Sequence, residues 1–120
     1  MARVLIVEDA PFIREMIRDI LESHDHEIAG EASNGLEAIE KFKALRPEIV
    51  LMDILMPGMD GLSAINKIME QDPKAKIIVV SALVKEALRK EALRAGAVDF
   101  VAKPFQVERL LEAVRVATTA

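Results

Sequence analysis

Short apolar segments rich in β-branched residues alternate with longer segments of helical periodicity, and this alternation constrains the fold more than any other sequence feature. The clearest apolar segments are residues 4–7, 49–52 and 77–80, with weaker ones at 100–102 and 28–32. Strands that are apolar at successive positions are buried on both faces, as in the parallel sheets of α/β proteins. The sequence therefore predicts parallel strands that alternate with helices.

The intervening segments carry the start and stop signals of helices. Pro11 suits the first helical position, where a missing N–H costs little. Asn34 and Glu37 have the spacing of a capping box, Asp60 is a candidate N-cap, and Gly96 suits the end of a helix. The apolar stripes of the five predicted helices are Phe12, Ile13, Met16, Ile17, Ile20 and Leu21; Leu36, Ile39 and Phe42; Leu62, Ile65, Ile68 and Met69; Leu88, Ala92 and Ala95; and Val107, Leu110, Leu111 and Val114.

Five successive βα units account for the whole pattern, and the 120 residues suffice for one domain. Right-handed crossovers then give a five-stranded parallel sheet covered by helices on both faces. For five strands we expect the flavodoxin-like order 2-1-3-4-5. We therefore predict an α/β fold of the (βα)5 type, with residues 1–120 as a single domain.

Composition narrows the possible functions. The net charge is −4 and no long basic run occurs, so we do not expect nucleic-acid binding. The apolar runs are too short to span a bilayer, and the acidic residues soon after the start argue against a signal peptide. The chain has no cysteine. We expect a soluble cytoplasmic protein without membrane insertion.

Polar residues stand at the predicted carboxyl ends of the strands, where open α/β sheets place their functional crevice. Glu8 and Asp9 follow the first strand, Asp53 the third, Ser81 ends the fourth and Lys103 follows the fifth. The first and third strands are neighbours in the expected order. Asp9 and Asp53 should therefore converge.

Converging carboxylates repel one another and need compensation. A magnesium ion, which prefers oxygen ligands and commonly uses one or two carboxylates, would supply it, and so would Lys103. A carboxylate beside a metal and a lysine is a plausible phosphoryl acceptor, which here would be Asp53. Ser81 could donate its hydroxyl to the bound phosphoryl group. No nucleotide-binding glycine motif occurs.

Other interpretations of these residues remain open from their types alone. Taken singly, Asp53 would more often be a turn or cap residue, and Lys103 a solvated lysine. Phe100 fits a core position as well as a mobile one. We interpret Gly58 and Gly61 as turn formers rather than phosphate binders.

The two histidines, His24 and His26, follow the first predicted helix among acidic residues. Their position is far from the predicted crevice. We interpret both as surface residues and not as metal ligands.

Several short motifs at these positions resemble those of response-regulator receiver domains. The resemblance covers nearly the whole chain, in order, and is strongest to stand-alone chemotaxis regulators of the CheY type. The acidic pair is Glu-Asp rather than Asp-Asp, a common variant in this family that should preserve metal binding. The motifs are Val7-Glu8-Asp9 with Arg14, Asp53 with Met56-Pro57-Gly58-Met59-Asp60-Gly61, Ser81-Ala82, Ala95-Gly96-Ala97 and Lys103-Pro104-Phe105.

The resemblance implies a role for each matching position. Asp53 is the implied phosphoacceptor and Asp9 a direct magnesium ligand, with Glu8 as an outer acidic partner acting through water. The remaining roles are the backbone carbonyl of Leu55 as a metal ligand, Ser81 as the switch hydroxyl, Lys103 as the site lysine in a cis Lys103–Pro104 peptide, and Phe100 as the switch aromatic.

The resemblance also implies a function. A histidine kinase would donate the phosphoryl group to Asp53 with Mg2+, and phosphorylation would change partner binding in chemotaxis. The implied target surface is the fourth helix, fifth strand and fifth helix, residues 86–116. A phosphatase is a possible further partner, and the implied protein is a monomeric switch rather than an enzyme. Bulky Leu55 and Leu83 suggest slow self-dephosphorylation.

Alternative functions remain open. The chain could be the receiver domain of a larger DNA-binding response regulator, or a single-domain phosphorelay regulator outside chemotaxis. A flavin-binding module of the same fold and a scaffold that has lost the chemistry are less consistent with the residues present.

Overall fold

The computed structural model describes residues 2–56, 58–82 and 85–119, which form a five-stranded sheet flanked by five helices. The strands are β1 (Arg3–Val7), β2 (Glu27–Ala32), β3 (Ile49–Met52), β4 (Lys76–Ser81) and β5 (Asp99–Ala102). The helices are α1 (Pro11–Ser23), α2 (Gly35–Leu45), α3 (Gly61–Gln71), α4 (Glu86–Ala95) and α5 (Val107–Thr119). All strand pairs are parallel, in the order β2-β1-β3-β4-β5, which confirms the predicted fold class and order.

The sheet is buried on both faces, as the continuous apolar strands predict. Alternate residues of each central strand contribute to two separate cores, because successive side chains point to opposite faces. One core packs β1, β3 and β4 against α2, α3 and α4, and the other packs the same strands against α1 and α5. The fully buried large side chains are Leu5, Ile6, Ile17, Leu21, Ile49, Leu51, Met52, Ile65, Ile68, Ile77, Ile78 and Leu110.

The helix starts follow the local signals in the sequence. Pro11 occupies the first turn of α1. The Asn34 side chain accepts a hydrogen bond from the Glu37 amide at 2.9 Å, and Asp60 accepts one from the Ser63 amide at 2.8 Å. The Glu37 carboxylate accepts from the Ser33 amide rather than from that of Asn34, so the capping box is displaced by one residue.

Some residues of the predicted apolar stripes lie on the surface instead. Phe12 is 79% exposed and Leu36 58% exposed, and Met16 and Val107 are also exposed. Phe12 and Met16 form an i, i+4 row at the edge of the α1 stripe, whereas Ile17 and Leu21 face the sheet. The stripe is wider than the part of α1 that the sheet can cover.

Candidate functional site

The candidate site lies at the carboxyl edge of the sheet, as predicted. Glu8 and Asp9 follow β1 and Asp53 follows β3, and the amides of Glu8 and Asp53 extend the strand pairing. The Glu8 amide donates to Ala32 at 3.0 Å, and the Asp53 amide donates to Val7 at 3.0 Å. The two acidic segments are therefore held at the same level of adjacent strands.

Three carboxylates converge at this edge. Glu8, Asp9 and Asp53 each offer an oxygen atom, and these atoms all lie within 4.8 Å of one another. Glu8 and Asp53 are buried, with 3% and 7% of their surface exposed, while Asp9 is exposed. Hard oxygen donors at this separation fit a small divalent cation such as Mg2+, and the open side at Asp9 gives access from solvent.

Lys103 links two of the three carboxylates across the sheet. Its Nζ donates to Asp53 Oδ2 at 3.1 Å and also contacts Glu8 Oε1. Burial by itself would lower the pKa of Lys103, but the hydrogen bond to Glu8 and the charge of Asp53 outweigh it and raise the pKa. Lys103 is therefore a fixed positive charge beside Asp53 at neutral pH.

Glu8 is a buried carboxylate whose pKa is raised. Burial raises its pKa, against the opposing hydrogen bonds from Lys103 and from the Ala10 amide, and the nearby charge of Asp53 adds to the increase. The Ala10 amide donates to Glu8 Oε2 at 3.1 Å. Both Glu8 oxygens thus have protein donors, which is consistent with an outer position in the acidic cluster.

Asp53 has a different donor at each oxygen. Oδ1 accepts from the Leu55 amide at 3.2 Å, and Oδ2 accepts from Lys103. The side chain of Leu55 is 54% exposed beside this contact. The role of its carbonyl as a metal ligand stays a prediction.

The other predicted site residues lie on neighbouring strands. Ser81 is fully buried as the last residue of β4, and its backbone carbonyl accepts from the Lys103 amide at 2.8 Å. The peptide Lys103–Pro104 is cis, as the resemblance implies.

Leu83, which was expected beside the path of attacking water, lies outside the described residues. The switch role of the Ser81 hydroxyl stays a prediction.

Phe100 is 8% exposed and packs in the core that contains α4. Its amide donates to Asp99 at 2.8 Å, and its carbonyl accepts from Arg109 at 3.2 Å. Arg109 also pairs with both carboxylate oxygens of Asp99. The core interpretation agrees with this burial, while the switch interpretation stays a prediction.

Gly61 lies against the backbone of Asp53, a contact that its interpretation as a turn former does not include. A Cβ atom at Gly61 would lie 2.4 Å from the Asp53 carbonyl oxygen and 2.6 Å from Ile54 Cα. The first turn of α3 therefore packs directly on the backbone of Asp53. Gly58, by contrast, has φ +79° with open space around it and is a turn former, as expected.

The histidines lie away from the acidic cluster, at the opposite edge of the sheet. His24 is exposed, but His26 is partly buried and its Nδ1 accepts from the Ala2 amide at 3.1 Å. The surface interpretation therefore holds for His24 and is wrong for His26. No pattern in the sequence before β2 indicated that His26 would accept from the Ala2 amide.

Residues 4–115 match the family of response regulator receiver domains. The chain is 56% identical to the chemotaxis protein CheY of Thermotoga maritima, over 93% of each chain. It is 48% identical to CheY of Bacillus subtilis, again over 93% of each. None of the helices in the three described segments is long and apolar enough to cross a membrane.

Solved structures give the same relationship. The CheX–CheY–BeF3–Mg2+ complex of Borrelia burgdorferi contains a chain that is 39% identical, with a TM-score of 0.93. The match covers 95% of this chain and 87% of the Borrelia chain. The response regulator domain of Thermotoga maritima CheB is 41% identical, with a TM-score of 0.92, covering 98% and 96% respectively. The chain therefore belongs to the response regulator receiver family and is closely related to the CheY chemotaxis regulators.

Proposed function

We propose that this protein is a switch of two-component signalling in which Asp53 accepts a phosphoryl group from a histidine kinase with Mg2+. The observation that carries the proposal is the meeting of three carboxylate oxygens with Lys103 at one edge of the sheet. Asp9, Asp53 and the Leu55 carbonyl would hold the ion, with Glu8 as its outer acidic partner. Receiver-family membership supports this donor set.

Asp53 is favoured over its neighbours as the acceptor because of its surroundings. Glu8 and Asp53 each accept from a backbone amide at one oxygen and from Lys103 at the other. Asp53 is the less buried of the two, and it occupies the position that the receiver motifs imply for the acceptor. When bound, Mg2+ would offset the charge of the carboxylates and of the phosphoryl oxygens.

The transfer itself needs an attacking oxygen and a leaving group. An Asp53 oxygen would form the new bond to phosphorus while the bond from phosphorus to the donor imidazole nitrogen breaks, and the imidazole keeps that electron pair. Lys103 would stabilise a phosphoryl oxygen as a point charge. The Ser81 hydroxyl would donate to a second oxygen.

Chemotaxis is the pathway that the relatives favour. The curated relatives at 48–56% identity are chemotaxis regulators, and the chain spans 93% or more of their length. A DNA-binding response regulator of the LuxR family from Staphylococcus aureus is also similar in structure, but at 27% identity. We therefore propose a single-domain, monomeric, cytoplasmic regulator, residues 1–120.

The proposed output is a change in partner binding. The target would bind the surface of α4, β5 and α5, residues 86–116, and a phosphatase could remove the signal. The solved complex of a Borrelia CheY with CheX supports protein partners for this class. Phosphorylation would act through Ser81 and Phe100, and the chain would be a switch rather than an enzyme.

Phosphorylation by acetyl phosphate tests the proposal. With Mg2+, the intact mass should rise by one phosphoryl group. The metal would offset the negative charge of the carboxylates, which otherwise repel the anionic phosphodonor. Asp53→Asn should abolish the increase, and the exposed Asp19→Asn should not. Phosphorylation that persists in Asp53→Asn would show that the acceptor is elsewhere.

A further inference from the structure

The backbone of Glu8 is held both at its amide and at its carbonyl. The Glu8 amide donates to the Ala32 carbonyl of β2 at 3.0 Å. The Glu8 carbonyl, which belongs to the peptide that continues into Asp9, accepts from Arg14 Nη1 at 2.7 Å. Arg14 therefore contacts the backbone from which the exposed Asp9 carboxylate projects.

Arg14 is itself held in place by a carboxylate on β2. Its Nε donates to Glu31 Oε1 at 2.9 Å, and the side chains of Arg14 and Glu31 are only 21% and 28% exposed. The other oxygen of Glu31 accepts from Arg18 Nε at 2.7 Å. Although burial opposes the shift, the hydrogen bonds from Arg18 and Arg14 lower the pKa of Glu31, so it is ionised at neutral pH.

These contacts give each arginine a different task. Arg14 joins Glu31 to the Glu8 carbonyl, so one rigid guanidinium connects β2 to the acidic segment after β1. Arg18 pairs with Glu31 and Glu22, and among the described residues it makes no hydrogen bond to the acidic segment. Substitutions of Arg14 and Arg18 therefore remove the same charge, but only those of Arg14 remove the contact with the Glu8 carbonyl.

We propose that Arg14, oriented by Glu31, is a positioning residue that fixes the Glu8–Asp9 peptide and so sets the affinity of the acidic site for Mg2+. The inference rests on the proposed function for the role of the metal. Asp9 is the exposed member of the cluster, so the position of its carboxylate depends on its backbone more than on packing. A ligand held through its backbone is pre-organised before the ion arrives.

Charge and positioning predict opposite results for the same substitution. As a nearby cation, Arg14 would repel Mg2+, so Arg14→Met would strengthen binding if charge were all that mattered. As a positioning residue, its loss should weaken binding. Arg14→Lys keeps the charge but cannot reach Glu31 and the Glu8 carbonyl together, so it should also weaken binding.

The direct test is titration with MgCl2 followed by the amide shifts of residues 8–10 and 53–55, since the chain has no tryptophan or tyrosine for fluorescence. Arg14→Met and Arg14→Lys should weaken binding about 10- to 100-fold, the range found when residues that orient metal ligands are removed. Arg18→Met should change it by no more than about threefold, since it removes equal charge without touching the Glu8 carbonyl.

A second readout needs no metal. In the metal-free protein, exchange of the Glu8 and Ala10 amides should be faster in Arg14→Met than in Arg18→Met, because their hydrogen bonds depend on this backbone segment. Stronger or unchanged Mg2+ binding in Arg14→Met would overturn the inference. If the wild-type protein binds no Mg2+, the proposed function fails, and unchanged amide exchange in Arg14→Met would then overturn the positioning role separately.

Discussion

Replacing Gly61 by alanine should disturb the phosphoacceptor through the backbone alone. The added Cβ would lie 2.4 Å from the Asp53 carbonyl oxygen, 2.6 Å from Ile54 Cα and 3.1 Å from the Asp53 carbonyl carbon. These neighbours are backbone atoms of a segment fixed to β1, where the Asp53 amide donates to Val7. They cannot move aside as a flexible side chain could.

The size of the effect follows from those contacts. Forcing one carbon into a packed backbone costs about 1–3 kcal/mol, and the short distances place Gly61→Ala in the upper part of that range. The better helix propensity of alanine returns up to about 1 kcal/mol. The net loss of about 2 kcal/mol corresponds to a fall in Tm of roughly 6–10 °C for a domain of this size.

Gly58→Ala is the matched control. A Cβ at Gly58 meets no atom of the described residues within 4 Å, but φ is +79°, so alanine there is strained without displacing Asp53. Its cost is about 1–2 kcal/mol, similar to that of Gly61→Ala. Thermal unfolding measures both losses. The rate of phosphorylation by acetyl phosphate, measured well below both Tm values, should fall in Gly61→Ala and remain normal in Gly58→Ala. Equal phosphorylation rates in the two variants would refute the coupling between α3 and Asp53.

Three further substitutions test other parts of the site and fold. Burial lowers the pKa of His26, and its Nδ1 accepts from the Ala2 amide, so the folded state favours the neutral imidazole. The contribution of His26 to the free energy of unfolding should therefore be complete above its ordinary pKa of 6.5. It should be lost as the pH falls through the lower pKa of the folded state. Urea unfolding at several pH values should show a weaker decline in His26→Gln, and an identical decline would contradict this role. Lys103→Met should bind Mg2+ roughly tenfold more tightly, because a competing cation is lost, yet be phosphorylated more slowly. Calorimetry and intact mass measure the two effects, and weaker Mg2+ binding would contradict this explanation. Leu55→Asn should speed the decay of the phosphorylated state by admitting and orienting water, whereas an unchanged decay rate followed by mass spectrometry would exclude Leu55 as a barrier.

The fold and the general position of the site could be predicted because both depend on local patterns. Continuous apolar strands identify a parallel sheet, and the side chains of helix caps such as Asn34 and Asp60 accept from backbone amides three residues later. Once the strand order is known, the carboxyl ends of β1 and β3 must meet. The convergence of Asp9 and Asp53 therefore follows from topology.

Contacts between distant side chains could not be predicted in the same way. Arg14 and Glu31 lie on different elements, and no periodicity in the sequence indicates that they pair. The packing of Gly61 on Asp53 depends on how closely α3 approaches β3, which a glycine alone does not reveal. The spacing of Phe12 fits the apolar stripe of α1, but the sheet does not extend far enough to cover it.

Chemical mapping of the phosphorylated residue tests the central claim most directly. After reaction with acetyl phosphate, borohydride converts an aspartyl phosphate into homoserine, which peptide mass spectrometry can locate. The account predicts homoserine at position 53 when Mg2+ is present and none when the metal is chelated. Homoserine at Asp9 or Asp60, or equal modification of Asp53 after chelation, would contradict a magnesium-dependent phosphoacceptor at Asp53.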